Sequence, residues 1–329
     1  MPRPRLLALS LLLAACRVEW GPPAAAPAPE AAGPRTLWLY TSLYQEVVDD
    51  LKPRVEAAFP GLTVEVFQSG SEKVAQRFEA EQEAGGSKAC LLATSDPGWY
   101  ASLTERGLLR PYVSPAALQA PRAWVQPTWA AFRVGLMVLA SKDGSGPQRF
   151  SALTDPQWKD RFSSGDPLSS GTTLTTVAAW ERVYGEAHTD ALRANGWVAS
   201  GGNSAVLGRL ETGERPYGVI LLENLLLRPG VATPIFPEDG AIAIPGPLAI
   251  AKGCPDPRLA EAVADYLMGP EAQAAIVRGG MYSPFPGVAP PNGAPALGDI
   301  ALFALPDDFF AQMGAGADAL KARLQRGGR

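Results

Sequence analysis

Residues 36–59, TLWLYTSLYQEVVDDLKPRVEAAF, and residues 60–78, PGLTVEVFQSGSEKVAQRF, each read as a strand followed by a helix. In the first, Leu37, Trp38 and Leu39 make a short apolar strand over Thr36–Tyr40. Val47, Val48, Leu51, Val55 and Phe59 then fall on one face of a helix predicted over Tyr44–Phe59, with a kink expected at Pro53. Pro60-Gly61 stops it. In the second, Leu62–Phe67 alternates as a strand does, and Ser69-Gly70-Ser71-Glu72 opens a helix that turns Val74 and Phe78 inward. Ser69 and Glu72 have the spacing of a capping box. A third unit follows, with Cys90–Thr94 as strand, Asp96-Pro97 as cap and first-turn proline, and Gly107 as the stop. Such a succession predicts an α/β fold built on a parallel sheet flanked by helices.

Beyond these units the pattern changes. Trp124–Ala140 is a long, apolar, β-prone stretch suited to a strand that crosses into a second lobe, and Ala241–Ala251 is another, able to bring the chain back. Between them, Asp166–Thr173 is a Gly/Ser/Thr loop opening a helix that runs to Tyr184 and stops at Gly185. Gly201-Gly202-Asn203-Ser204 opens a further helix with Val206, Leu207 and Leu210 inward and Gly213 as its stop. Tyr217–Leu222 reads as a strand. Asp256-Pro257 and Gly269-Pro270 start two closing helices. Two lobes joined by crossing strands are expected, with a first lobe at 36–125 plus 247–300, a second at 126–246, and a tail at 301–329 in which Ala317–Gln325 reads as a surface helix.

The N-terminal end reads as an export signal. Arg3 and Arg5 precede the apolar run Leu6–Leu13, and Leu13-Ala14-Ala15-Cys16 closes the segment. A signal peptide is expected over residues 1–15, too short to span a bilayer as a mature helix. The chain from 16 to 35, rich in Ala, Pro and Gly, reads as a tether. Roughly 290 residues then remain, enough for two lobes of ordinary size. A net charge of −4 gives no electrostatic case for nucleic acid. Besides Cys16 the chain has Cys90 and Cys254, which an oxidising compartment allows to pair; sequence alone leaves that pairing open.

The places where chemistry belongs are the carboxyl ends of the strands, where ligands of open α/β sheets bind. There the chain carries Thr41-Ser42, Ser69-Gly70-Ser71, Ser95-Asp96, Ser169-Ser170-Gly171-Thr172-Thr173 and Asn203-Ser204. Each group is small and hydroxylated, and all but the first lead into a predicted helix. Free N–H groups and the positive dipole end at a helix start suit phosphate, carboxylate or another oxyanion; equally, Ser, Thr, Asp and Asn are ordinary helix caps. Glu223-Asn224, after the apolar strand, is positioned to meet a cationic ligand group or a metal, or to cap the following turn. Tyr44 and Asp96 are further oxygen ligands, and Asp239 a weaker one. Enzyme motifs are missing: His188 is the one histidine, expected on a solvated surface, and the chain has no G-x-S-x-G, P-loop or G-x-G-x-x-G. No catalytic residue and no cofactor is expected.

The series Tyr40-Thr41-Ser42-Leu43-Tyr44-Gln45-Glu46, Phe67-Gln68-Ser69-Gly70-Ser71-Glu72-Lys73, Thr94-Ser95-Asp96-Pro97, Thr154-Asp155-Pro156-Gln157-Trp158-Lys159, Ser169-Ser170-Gly171-Thr172-Thr173 and Gly202-Asn203-Ser204-Ala205-Val206 resembles the ferric-ion-type periplasmic solute-binding proteins, in order along nearly the whole mature chain. The Leu-Ala-Ala-Cys ending is similar to the bacterial lipobox, which implies that Cys16 is acylated and anchors the chain to a membrane outside the cytoplasm. The resemblance implies a type-2 periplasmic-binding fold with a ligand cleft between hinged lobes. It also implies delivery to an ABC permease and its ATPase by a monomeric carrier. The cleft-anion roles of the family carry over to Ser170, Gly171, Thr172 and Asn203. One departure matters. Where ferric members place two adjacent tyrosines, this chain has Asn224-Leu225, and leucine cannot replace a phenolate. The expected ligand is therefore a small organic oxyanion, a phosphonate or phosphate ester whose cationic end meets Glu223. The alternatives are ferric iron with a synergistic anion, held by Tyr44, Asp96 and Glu223, and a receptor-coupled sensor in place of a transport component.

Overall fold

Arg35–Thr41 forms β1, followed by α1 (Gln45–Ala58), β2 (Leu62–Gln68), α2 (Ser71–Glu83), β3 (Leu91–Ala93) and α3 (Pro97–Glu105). The computed structural model describes residues 35–326; the expected signal peptide, Cys16 and nearly all of the tether lie outside the described residues. β4 (Val125–Gln126) and β5 (Trp129–Ser141) then lead to β6 (Phe162–Ser164), α4 (Gly171–Tyr184), α5 (Glu186–Ala194), β7 (Val198–Ala199), α6 (Asn203–Thr212), β8 (Tyr217–Leu221), α7 (Leu222–Leu226), β9 (Thr233–Ile235) and β10 (Ile242–Ile250). Helices α8 (Pro257–Leu267), α9 (Pro270–Arg278) and α10 (Met313–Arg326) complete the chain.

The sheet runs β2-β1-β3-β10-β5-β8-β6-β7, with β4 and β9 beside β5. β1 pairs in parallel with β2 and β3, as the opening units predict, and β6 pairs in parallel with β7 and β8. Between these two parallel groups lie β10 and β5, antiparallel to each other and to the strands on their outer sides. They are the expected crossing strands, and every residue of both is buried, which explains their unbroken apolar reading. A further segment meets β5 as an isolated bridge, where Tyr282 and Val134 exchange both backbone hydrogen bonds, at 2.8 and 2.9 Å. The fold is a mixed α/β sheet with two helix-covered lobes and a cleft where the parallel strands end.

Several local expectations hold and several need correction. Asp96 caps α3 by accepting from Trp99 N at 3.2 Å, and Ser170 caps α4 through Thr173 N. The capping box at α2 does not form: the cap position is Gly70, one residue later than Ser69, so Glu72 falls at the second helical position and no side chain caps the helix. Helix α1 continues through Pro53. His188 is buried, not solvated, lying 4.6 Å from Tyr184 and 6.0 Å from Trp180 between ring centroids. Burial there holds its imidazole below the usual histidine range. The tail helix begins earlier than expected and is not a bare surface element. Met313, Ala317, Leu320 and Leu324 bury one face of α10, and Ala317 meets Gly98 of α3, where an added Cβ would come within 3.0 Å. Cys90 and Cys254 form a disulfide, their Cα atoms 4.5 Å apart.

Candidate functional site

The carboxyl ends of β1 and β3 deliver Ser42 and Ser95 to the cleft from the first lobe, and the start of α2 delivers Ser71. The three hydroxyls form a chain, with Ser95 Oγ 3.3 Å from Ser42 Oγ and 3.2 Å from Ser71 Oγ. From the second lobe the start of α4 brings Ser170, Gly171 and Thr172, and the start of α6 brings Asn203. Ser170 Oγ lies 3.0 Å from Thr172 Oγ1, which accepts from Asn203 Nδ2 at 3.2 Å. Asn203 is oriented by Leu221 N, which donates to its Oδ1 at 3.1 Å. Both clusters border one cavity of about 150 Å³, together with Tyr44, Gly70, Ser169, Ser204, Glu223 and Arg133. The lobes touch beside it. A Cβ on Gly171 would lie 2.5 Å from the Asp96 Cβ, so only glycine permits this approach.

Arg133 is a site residue that sequence patterning alone does not single out. It lies in the middle of β5, buried, with its Nη2 donating to Ser42 Oγ at 3.4 Å, its Nη1 3.3 Å from the Met281 sulfur, and its Nε without a partner. Two glycines make room for the polar floor. Gly246, across the ladder from Arg133, has no side chain where a Cβ would stand 2.6 Å from Arg133 Cγ. Gly135 does the same for Glu223, whose Oε1 would lie 3.1 Å from an added Cβ. The signal was present as a lone charge inside WAAFRVGLMVLAS, residues 129–141. A charge on a fully buried strand is costly unless something answers it.

Glu223 opens the short α7 and is buried, its Oε1 unpartnered. Burial pushes its carboxyl up to about 7, against the pull of Arg133. The Tyr44 hydroxyl donates to Asn224 Oδ1 at 2.9 Å across the lobes, and burial raises its phenol above the ordinary range. Asn224 therefore faces a neighbouring cavity that shares Tyr44 and Ser204 with this one.

Other expected residues stand elsewhere. Thr41 donates to Ala93 O at 2.8 Å and ties β1 to β3. Ser69 and Thr173 do not border the cavity; Thr173 spends its hydroxyl on Ser170 Oγ. Asp96 does not reach it either, since its carboxylate is the α3 cap. Asp239 accepts from Phe150 N, Ser151 N, Ser151 Oγ and Tyr184 OH, so its oxygens are used in holding the second lobe together. Among the described residues no three His, Cys, Asp or Glu side chains gather as a metal cluster would require. The site as built is rich in hydrogen-bond donors, with one guanidinium and one carboxyl, and it has no nucleophile–base pair.

Comparison with known proteins agrees with this architecture. No curated protein matches the sequence. Among solved structures, the fold is similar to iron-bound HitA from Pseudomonas aeruginosa (TM-score 0.77, 18% identity, 88% of this chain and 99% of that one). It is similar to the periplasmic binding protein AfuA from Actinobacillus pleuropneumoniae with bound fructose-6-phosphate (TM-score 0.77, 21% identity, 88% and 98%). The ferric binding protein from Campylobacter jejuni is also alike (TM-score 0.75, 17% identity, 88% and 99%). The model of bacterial extracellular solute-binding proteins matches residues 39–282, most of the chain. With two lobes, crossing strands and a cleft lined by helix starts, this chain belongs to the bacterial extracellular solute-binding protein family.

Proposed function

We propose that this protein is the extracytoplasmic binding component of an ABC importer and captures a small oxyanion-bearing ligand, an organophosphonate or phosphate ester, between its lobes. The observation that carries the reading is the convergence of donors from both lobes on one small cavity: Ser42, Ser71 and Ser95 on one side, Ser170, Gly171, Thr172 and Asn203 on the other. α4 and α6 begin at this cavity, so their free N–H groups and dipoles add to the same positive field. Neutral donors that come from both lobes favour lobe closure over a ligand, because the contact set is complete only when the lobes meet. The lobe boundaries expected from the sequence, at 126 and 247, belong to this proposal. So do the monomeric state and the permease and ATPase partners. The phosphate ester bound to AfuA supports the ligand class.

Iron with a synergistic anion is the second reading, favoured by the likeness to iron-bound HitA. The donor set opposes it. Asp96 is committed to a helix cap and the Tyr44 hydroxyl to Asn224, which leaves Glu223 alone of the three replacement ligands.

Removing the Asn203 amide tests the oxyanion reading. Each buried hydrogen bond to a charged group contributes about 1.5–3 kcal/mol, so Asn203→Ala is expected to weaken a bound phosphonate or phosphate ester about tenfold to a hundredfold by calorimetry. Unchanged affinity would place the anion elsewhere. Membrane anchoring through Cys16 is part of the same proposal. Cys16→Ser is expected to shift the protein from the membrane to the soluble fraction, and equal retention of both forms would remove the anchor from the account.

A further inference from the structure

Arg133 and Glu223 stand at the floor of the cleft as a charge pair that is close but unjoined. Arg133 is 3% exposed and Glu223 1%. Arg133 Nε and Glu223 Oε1 both lack a hydrogen-bond partner. The contacts Arg133 does make, to a serine hydroxyl at 3.4 Å and a thioether at 3.3 Å, do not neutralise a guanidinium. Burying two charges without bonding them to each other costs stability. The fold nevertheless gives up a side chain at Gly246 to accommodate Arg133, and at Gly135 an added Cβ would crowd both Leu221 and Glu223. Both groups border the same cavity as the serine and threonine donors.

We infer that Arg133 is the principal anchor of the ligand's oxyanion and that Glu223 beside it selects ligands carrying a hydrogen-bond donor, an ammonium or hydroxyl, a few bonds from that oxyanion. This inference rests on the oxyanion reading above and narrows it. A guanidinium offers a planar fork that matches a phosphonate or phosphate edge, which neutral hydroxyls do not. A buried carboxyl next to an anion site repels a ligand that is only anionic, so Glu223 works against simple anions as well as for amphoteric ones. The cavity, near 150 Å³, suits a short molecule carrying both groups.

The test uses three phosphonates of nearly one size: 2-aminoethylphosphonate, 2-hydroxyethylphosphonate and propylphosphonate, titrated calorimetrically into the mature protein. Wild type is expected to hold the amino or hydroxy compound at least about tenfold more tightly than the propyl one. Whichever of the first two binds tighter identifies the donor that Glu223 reads. Arg133→Gln is expected to weaken all three by on the order of a hundredfold. Arg133→Lys, which keeps the charge and loses the fork, is expected to weaken them by about tenfold, and it serves where the glutamine variant does not fold. Glu223→Gln is expected to weaken the amino compound and leave the propyl compound equal or tighter, a crossing of preference that a merely structural role would not give. Arg133 variants within threefold of wild type would overturn the anchor. Equal losses for all three ligands in Glu223→Gln would overturn the selector. If wild type binds none of the three, the selection of short ligands falls, and if it binds no hexose phosphate either, the oxyanion reading and the anchor fall with it.

Discussion

Cys254→Ala is expected to lower the unfolding free energy by about 2–5 kcal/mol. The bridge joins the start of β3 to the turn after β10 and closes a loop across a sequence separation of 164 residues. In the chain-entropy account closing a loop that long removes freedom from the unfolded chain equivalent to about 5 kcal/mol. Both sulfurs are buried in the first-lobe core, so the substitution also removes packing. The measurement is urea unfolding of wild type, the variant and reduced wild type. Reduction and substitution are expected to move the midpoint down together. Wild type that is indifferent to reductant would show that the bond makes no contribution.

Glu223→Gln is expected to stabilise the ligand-free protein at pH 8 by about 3 kcal/mol and to do nothing near pH 4. The sign follows from burial. The folded carboxyl titrates at about 7 against an ordinary value of 4.5, so the folded state holds this proton more tightly than the unfolded chain does. Stability therefore falls as pH rises from about 4.5 to about 7 and is level above that. The groups facing it are Arg133 from β5, Tyr44 at the start of α1 and Tyr282 after α9. Arg133 opposes the shift and does not overcome it. Glutamine resembles the protonated acid, so the variant escapes the penalty. Thermal unfolding at both pH values separates the outcomes, and a variant less stable than wild type at pH 8 would mean that the attraction of Arg133 outweighs desolvation.

Much of this was legible in the residues, and the parts that were not share a cause. Asp96-Pro97, Ser170-Gly171 and Gly202-Asn203 announce helix starts because a cap is made by neighbours in sequence. The crossing strands are legible because burial on both faces removes every polar alternation from β5 and β10. Arg133 was missed because its meaning depends on Gly246, Ser42 and Met281, which the fold brings together from three distant segments. Asp239 misled for the same reason. It precedes the return crossing in sequence, yet Tyr184, Phe150 and Ser151 claim its oxygens. His188 sits in a hydrophilic stretch, but α5 turns that residue onto Trp180 and Tyr184. The disulfide is not legible because it depends on β10 lying beside β3, with Ile250 opposite Leu91.

The central claim is that the cleft takes a small organic oxyanion. It is tested most directly by titrating the purified mature protein with 2-aminoethylphosphonate and a hexose phosphate by calorimetry, alongside ferric citrate followed by visible absorbance. With leucine and asparagine where phenolates would stand, and Arg133 at the floor, saturable one-to-one binding of an organic anion is expected, with no intense phenolate-to-iron band. A tight, coloured one-to-one ferric complex with no heat from either organic anion would contradict it.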